Sequence, residues 1–274
     1  MGDKIIELLK YLFLGILQGI AEVLPISSSG HLQIANDILN IGDNSVTLSV
    51  FLHIASLLAV FIYLRKELLI LIKGFFGFIF KDKKIYKQEF MLVIYLCITT
   101  LVLVVFTIII KLLGFDSSPL WLIGVCLVIN AIMLFSFGKF TGTRNIYEIN
   151  VKDALVIGLF QCAGSFAGIS RSGSCLCGCQ VRKIEKEDSA KYAFLLFIPA
   201  MLGATVLEMS NLTSLFDDNS KIYLYIISFI VTFATTYFSF AVLKKIINKG
   251  KITYFGIYCA IVGIITFVYA MLVK

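Results

Sequence analysis

The chain has 274 residues, of which 59% are hydrophobic and only 15% charged, and its mean hydropathy of +0.95 excludes an ordinary water-soluble domain. A formal net charge of +7 does not mark a nucleic-acid binder, because the basic residues lie in short connections between apolar runs rather than on one face.

The first apolar run, 5–24, opens among Asp3, Lys4 and Glu7 and has no small-residue cleavage site, so it is expected to remain as structure and not to be removed as a signal peptide. It breaks at Pro25 and at Ser27-Ser28-Ser29-Gly30-His31, and a short apolar piece, 32–41, follows. A helix, a polar Gly/Ser break and a second short helix describe a re-entrant hairpin, 5–41, with its break at membrane depth. Apolar runs of spanning length are then expected at 46–64, 90–113 and 119–138. A second broken region, 154–183, stops at Ser170-Arg171-Ser172-Gly173, and further spans are expected at 189–209, 221–247 and 252–273. Cys97, Cys126, Cys162 and Cys259 lie singly in apolar runs, where a thiol behaves as a small hydrophobe. Cys175, Cys177 and Cys179 have no zinc spacing and no neighbouring histidine, and are expected to pack.

The two broken regions match at an offset of 143: Gly15 and Gln18 with Gly158 and Gln161, and Ile26, Ser27, Ser29 and Gly30 with Ile169, Ser170, Ser172 and Gly173. This register predicts an internal duplication, 1–138 and 139–274, within one membrane domain. The expected fold is an all-α integral membrane protein of six transmembrane helices plus two re-entrant hairpins. Lys and Arg set its orientation. The connection 65–88 carries seven, and 139–153, 182–191 and 244–251 together carry eleven, against five on the opposite side. The eighteen-residue side is therefore expected to be cytoplasmic. The hairpins then enter from opposite faces, as in an inverted repeat, and their tips can meet near the midplane.

Glu22 lies within an apolar helix, four residues after Gln18 and so on the same face. An intramembrane carboxylate is a functional candidate by default. Ser27, Ser28, Ser29 and Gly30 stand where a new helix begins, and hydroxyls with free backbone N–H groups there can cradle an anion or simply cap the helix. His31 adjoins them as a catalytic candidate. Arg171, between Ser170 and Ser172 and before Gly173, is the basic residue placed deep in the membrane. Its planar fork suits phosphate oxygens, and a buried ion pair with Glu22 is the alternative. His53, within a span, reads as structural, and Glu208 as an interface residue.

The stretch from Gln18 through His31 resembles the E/Q-x-x-x-E and P-x-S-S-x-G-H motifs of the undecaprenyl-diphosphate phosphatase (bacitracin-resistance) family. Gly168-Ile169-Ser170-Arg171-Ser172-Gly173 is similar to that family's P-G-x-S-R-S-G motif, with Ala167 in place of the proline. The resemblance implies a phosphatase that cuts undecaprenyl diphosphate, a membrane lipid, to the monophosphate and inorganic phosphate, recycling the cell-wall carrier. It implies Glu22, Ser28, His31 and Arg171 as catalytic residues. Ser27, Ser29, Gly30, Ser170, Arg171, Ser172 and Gly173 would bind the diphosphate. Glu22 with Gln18 would hold a divalent ion, Mg2+ or Ca2+. The attacking group is Ser28 assisted by His31, His31 itself or water. The expected location is the bacterial plasma membrane, with the cleft open to the outer face; no nucleic acid is expected, and a homodimer is left open. A secondary transporter or polyprenyl-phosphate flippase is the rival, because broken helices meeting at the midplane are also transporter architecture.

Overall fold

The computed structural model describes residues 2–39, 45–114, 118–137, 142–207, 221–249 and 251–273. These residues form helices α1 (Gly2–Val23), α2 (Ser28–Leu39), α3 (Ser45–Tyr63), α4 (Arg65–Phe80), α5 (Lys87–Leu112) and α6 (Leu120–Phe137) in the first part. A 3-10 turn (Ile146–Glu148) leads into α7 (Val151–Ala163), α8 (Arg171–Val181), α9 (Lys186–Leu207), α10 (Ile222–Asn248) and α11 (Thr253–Val273). No strand occurs among the described residues, and one isolated bridge joins Arg144 to Ile184. Five helices are long and apolar enough to cross a bilayer, or six when the bent pair α3 and α4 is counted as one span. Their outer faces stay apolar where no other helix covers them: Phe238 is 69% exposed and Ile265 62%. Such a surface suits lipid and not water.

The stretch expected as a charged connection, 65–88, is largely helix α4, turned 73° from α3. Its lysines mask an apolar stripe. Leu71, Gly74 and Gly77 are buried, and the two glycines let the helix lie against Glu89 and Tyr86 at the start of α5. Glu208 and the connection 40–44 lie outside the described residues.

Close helix crossings are made by small residues, the usual device where lipid removes the hydrophobic drive between helices. Gly15 seats α1 on α10, and a Cβ there would stand 2.8 Å from the Ser228 carbonyl oxygen. Thr232 Oγ1 donates to the Gly15 carbonyl at 3.0 Å across the same crossing. Gly158 seats α7 on α5, against Thr99 and Val102. α6 packs lengthwise on α11. Cys175, Cys177 and Cys179 are buried free thiols on α8, and Cys177 donates to the Met133 carbonyl.

The base of the second hairpin is clasped by charge. Asp153, in the first turn of α7, has a fully buried side chain that accepts from Arg144 Nη2 at 2.7 Å and from Arg182 Nε at 2.5 Å. It also closes a capping box with Asn150. One carboxylate thereby ties the entry of α7 to the exit of α8. Burial opposes its ionisation, but the hydrogen bonds from Arg144 and Arg182 outweigh it and hold the carboxyl below the usual carboxylate range.

Removing Asp153 strands two partly buried guanidinium groups, so Asp153→Ala should cost about 3 kcal/mol of stability. A carboxyl depressed in the folded state contributes stability above its unfolded value, about pH 4, and loses it as the pH falls through the folded value. Thermal melts in detergent should show wild type losing its advantage over Asp153→Asn below about pH 4. An advantage unchanged down to pH 2 would contradict the ionic clasp.

Candidate active site

The two polar breaks meet. Both short helices begin at a serine cap: Gly30 N donates to Ser27 Oγ at 3.4 Å, and Gly173 N donates to Ser170 Oγ at 3.1 Å. In each tip the capping hydroxyl also contacts a serine two residues on, Ser29 at 3.5 Å and Ser172 at 3.1 Å. The tips then bond to each other, with Gly168 N donating to Ser27 Oγ at 3.0 Å. Ser27 has φ of 72° and Gly168 φ of 100°, so both sides of this contact use left-handed backbone. Gly30 permits the approach, because a Cβ on it would sit 2.8 Å from Gly168 N.

Asn130, buried on α6, pins the junction. Its Nδ2 donates to the Pro25 carbonyl at 2.9 Å and its Oδ1 accepts from Ser170 N at 3.1 Å. One amide thus holds both tips, which places the α2 and α8 N-termini at one cavity. That cavity measures about 590 Å³ with its open mouth, and Glu22, Ser27, Ser28, Ser29, Ser170, Arg171 and Ser172 line it. Phe194, Phe197 and Phe240 complete the wall.

Within it, the contacts of Glu22 converge on Oε2. Ser28 Oγ donates at 2.6 Å, Gln18 Nε2 at 2.8 Å, and His53 Nε2 lies at 3.1 Å. The other nitrogen of His53, Nδ1, is 2.6 Å from the Ser49 carbonyl. The ring is thus held between the Glu22 carboxylate and a backbone carbonyl of its own helix. Gln18 also reaches Ser56 Oγ at 3.5 Å, and its Oε1 is buried without a hydrogen-bond partner.

Arg171 opens α8 with no acidic partner within ion-pair distance among the described residues. Its Nη1 contacts Met201 Sδ at 2.9 Å, and its Nε is buried with no hydrogen-bond partner. No ion pair joins it to Glu22 among the described residues; Glu22 pairs with His53. A half-buried guanidinium with an unfilled Nε donor, beside two helix N-termini and several hydroxyls, is arranged to receive an anion. His31 stands apart from these groups. Its Nδ1 meets the Ser27 carbonyl at 2.8 Å and its Nε2 meets Tyr258 Oη at 2.9 Å. It braces the first tip from behind and does not line the cavity.

Sequence reasoning singled out neither Asn130 nor Tyr258 here, and it read His53 as structural. Asn130 and His53 are polar groups inside apolar helices, and that alone was a usable signal. Tyr258 carried none, since tyrosine is common in membrane helices. Among the described residues no group of three or more His, Cys, Asp or Glu side chains is placed to hold a metal.

Known proteins resemble this chain over nearly its whole length. Residues 11–265 match the family model described as bacitracin resistance protein BacA. An undecaprenyl-diphosphatase 3 of Bacillus anthracis is 34% identical over 268 residues, covering 97% of this chain and 99% of its own. The undecaprenyl-diphosphatase of Thermosipho africanus is 36% identical over 260 residues, covering 94% and 99%. That of Oceanobacillus iheyensis is 32% identical over 269 residues, covering 96% of each.

The touching tips can be tested by volume. Gly30→Ala drives a methyl into backbone and should cost about 1–3 kcal/mol. Gly203→Ala, where a Cβ meets nothing within 4 Å, should not lower the melting temperature. Equal melts for the two variants in detergent would contradict the close contact.

Proposed function

The chain belongs to the bacitracin-resistance protein family, and from that premise we propose that it hydrolyses undecaprenyl diphosphate to undecaprenyl phosphate and inorganic phosphate in the bacterial plasma membrane. The observation that carries the reading is Arg171, half-buried with its Nε lacking a hydrogen-bond partner among the described residues, lining with Glu22 and Ser28 the cavity shared by two helix N-termini. A transporter of anionic lipid would use Arg171 and the N-termini. It would have no need for a serine hydroxyl bonded at 2.6 Å to a carboxylate in the same cavity.

In the proposed reaction Arg171, the hairpin-tip N–H groups and the hydroxyls of Ser27, Ser29, Ser170 and Ser172 hold the diphosphate, with Gly30 and Gly173 keeping the backbone close. These groups stabilise charge on the transferring phosphoryl group, the main demand of such chemistry. Ser28 Oγ attacks the terminal phosphorus while its proton passes to Glu22 Oε2. The bond from that phosphorus to the bridging oxygen breaks, and undecaprenyl phosphate leaves. Water then cleaves the phosphoserine, releasing inorganic phosphate and restoring the Ser28 hydroxyl. His31 serves the same step by fixing the tip that carries Ser28. Its bonds to Ser27 and Tyr258 favour this role over direct attack.

The donors fit a hard divalent ion shared with the substrate. Glu22 offers the carboxylate oxygen not engaged by Ser28, and Gln18 carries a buried amide oxygen without a partner. One carboxylate with substrate phosphates suits Mg2+, whereas Ca2+ prefers roughly six to eight oxygens. Bound there, the ion would offset the charge of the diphosphate.

The finer topology belongs to the same proposal: two inverted halves, each with a re-entrant hairpin and three spans, divided near residue 138. The matched serine caps support it. So does the exchange of partners, in which α1 of one half lies on α10 of the other and α7 on α5. The excess of Lys and Arg in 65–88, 139–153, 182–191 and 244–251 supports a cytoplasmic side for those segments and a cleft facing outward.

Phosphate release from farnesyl diphosphate by purified protein in detergent tests the function, and loss of release in EDTA tests the ion. Arg171→Lys keeps the charge but loses the fork, and should lower kcat/KM by about two orders of magnitude, roughly 2–3 kcal/mol. Its melting temperature should stay close to wild type. Full activity in Arg171→Lys would remove Arg171 from the phosphate cradle.

A further inference from the structure

Resting on that reading, the cavity poses an electrostatic problem. Glu22 and Arg171 face the same low-dielectric space with opposite charges, and the guanidinium lies within Coulombic reach of the carboxylate. Nothing is more favourable for such a pair than to close on itself, since the ionic partner would satisfy the unfilled Nε of Arg171. An Arg171 closed on Glu22 would no longer present a free fork to a phosphate. The structure shows the pair open, so something holds the carboxylate away.

His53 is that group. It approaches from α3, outside both hairpins, and reaches Glu22 Oε2 at 3.1 Å. Its ring is itself fixed, because Nδ1 lies 2.6 Å from the carbonyl of Ser49 one turn earlier in the same helix. Gln18 and Ser28 also bond Oε2, but both belong to the first hairpin and travel with Glu22. Among the described residues, only His53 ties the carboxylate to a helix outside that hairpin. The side chains of His53 and Glu22 are 15% and 9% exposed, so little water competes with the bond.

We propose that His53 is a positioning residue that holds Glu22 away from Arg171, keeping the guanidinium free for the diphosphate and Oε2 aimed at Ser28. The idea requires a donor at this place and no imidazole chemistry. A glutamine, which can present an N–H to the carboxylate, should therefore substitute for the histidine.

A double-variant cycle in binding separates this role from a structural one. The probe is the methylene-diphosphonate analogue of farnesyl diphosphate, whose carbon bridge resists hydrolysis, measured by equilibrium binding to the full chain in detergent. H53A should weaken binding at least tenfold when Glu22 is present, because the freed carboxylate now competes for Arg171. In the E22Q background the same H53A change should alter binding less than threefold, since no charge remains to compete. H53Q alone should bind within threefold of wild type and keep phosphate release within about fivefold. Equal weakening by H53A in both backgrounds would overturn the proposal, as would unchanged binding in H53A. If H53A fails to fold, H53Q decides: a folded H53Q that loses tenfold in binding also overturns it. Wild type that binds the analogue and releases phosphate while the cycle is flat leaves the phosphatase reading standing and rejects this inference alone. Wild type without turnover rejects both.

Discussion

The amide of Asn130 is the constraint on which the site depends. Bonding the Pro25 carbonyl with one end and Ser170 N with the other, it fixes two broken helices from distant parts of the chain against each other. A polar break between apolar helices leaves backbone groups that need partners. Each break supplies what the other lacks. Ser27 Oγ satisfies Gly168 N, and the absence of a Cβ on Gly30 lets the backbones touch. The product of that mutual satisfaction is two helix N-termini opening on one cavity, an electropositive place with hydroxyls to spare.

Charge is then distributed with economy of partners. Asp153 takes two arginines at the base of the second hairpin, where the pairing is structural. Arg171, at the tip of the same hairpin, receives none, and Glu22 is occupied by His53, Gln18 and Ser28. The contrast supports the proposed site: the carboxylate that clasps the fold is satisfied, and the group proposed to meet substrate is left with an open donor.

Much of this was legible in the sequence for physical reasons. Spans showed as apolar runs of bilayer length, and the hairpins showed as Gly/Ser breaks inside such runs, since little else interrupts a membrane helix. The residues of both tips were found because Ser27 to Gly30 and Ser170 to Gly173 repeat one local pattern, and a cap is a local event. Helix α4 was read as a connection because its lysines outweighed its apolar stripe in a simple count of charge. Asn130, His53 and Tyr258 were missed as site residues because their roles arise only from contacts between distant segments. His53 meets Glu22 across two helices, and Asn130 meets Pro25 and Ser170 across 105 and 40 residues. No periodicity encodes such meetings. The alternative reading of Arg171, an ion pair with Glu22, gives way to the pair of Glu22 with His53 for the same reason.

The central claim is that the anion held between the two tips is gripped by the Arg171 guanidinium. The most direct measurement is phosphorus-31 to nitrogen-15 distance spectroscopy on the analogue-bound protein in lipid, with arginine side chains labelled. Four arginines are present, Arg65, Arg144, Arg171 and Arg182, and only Arg171 faces the cavity. Wild type should show one guanidinium within hydrogen-bonded range of phosphorus, and Arg171→Lys should show none. Bound analogue with no guanidinium near its phosphorus, or a contact that survives Arg171→Lys, would contradict the account.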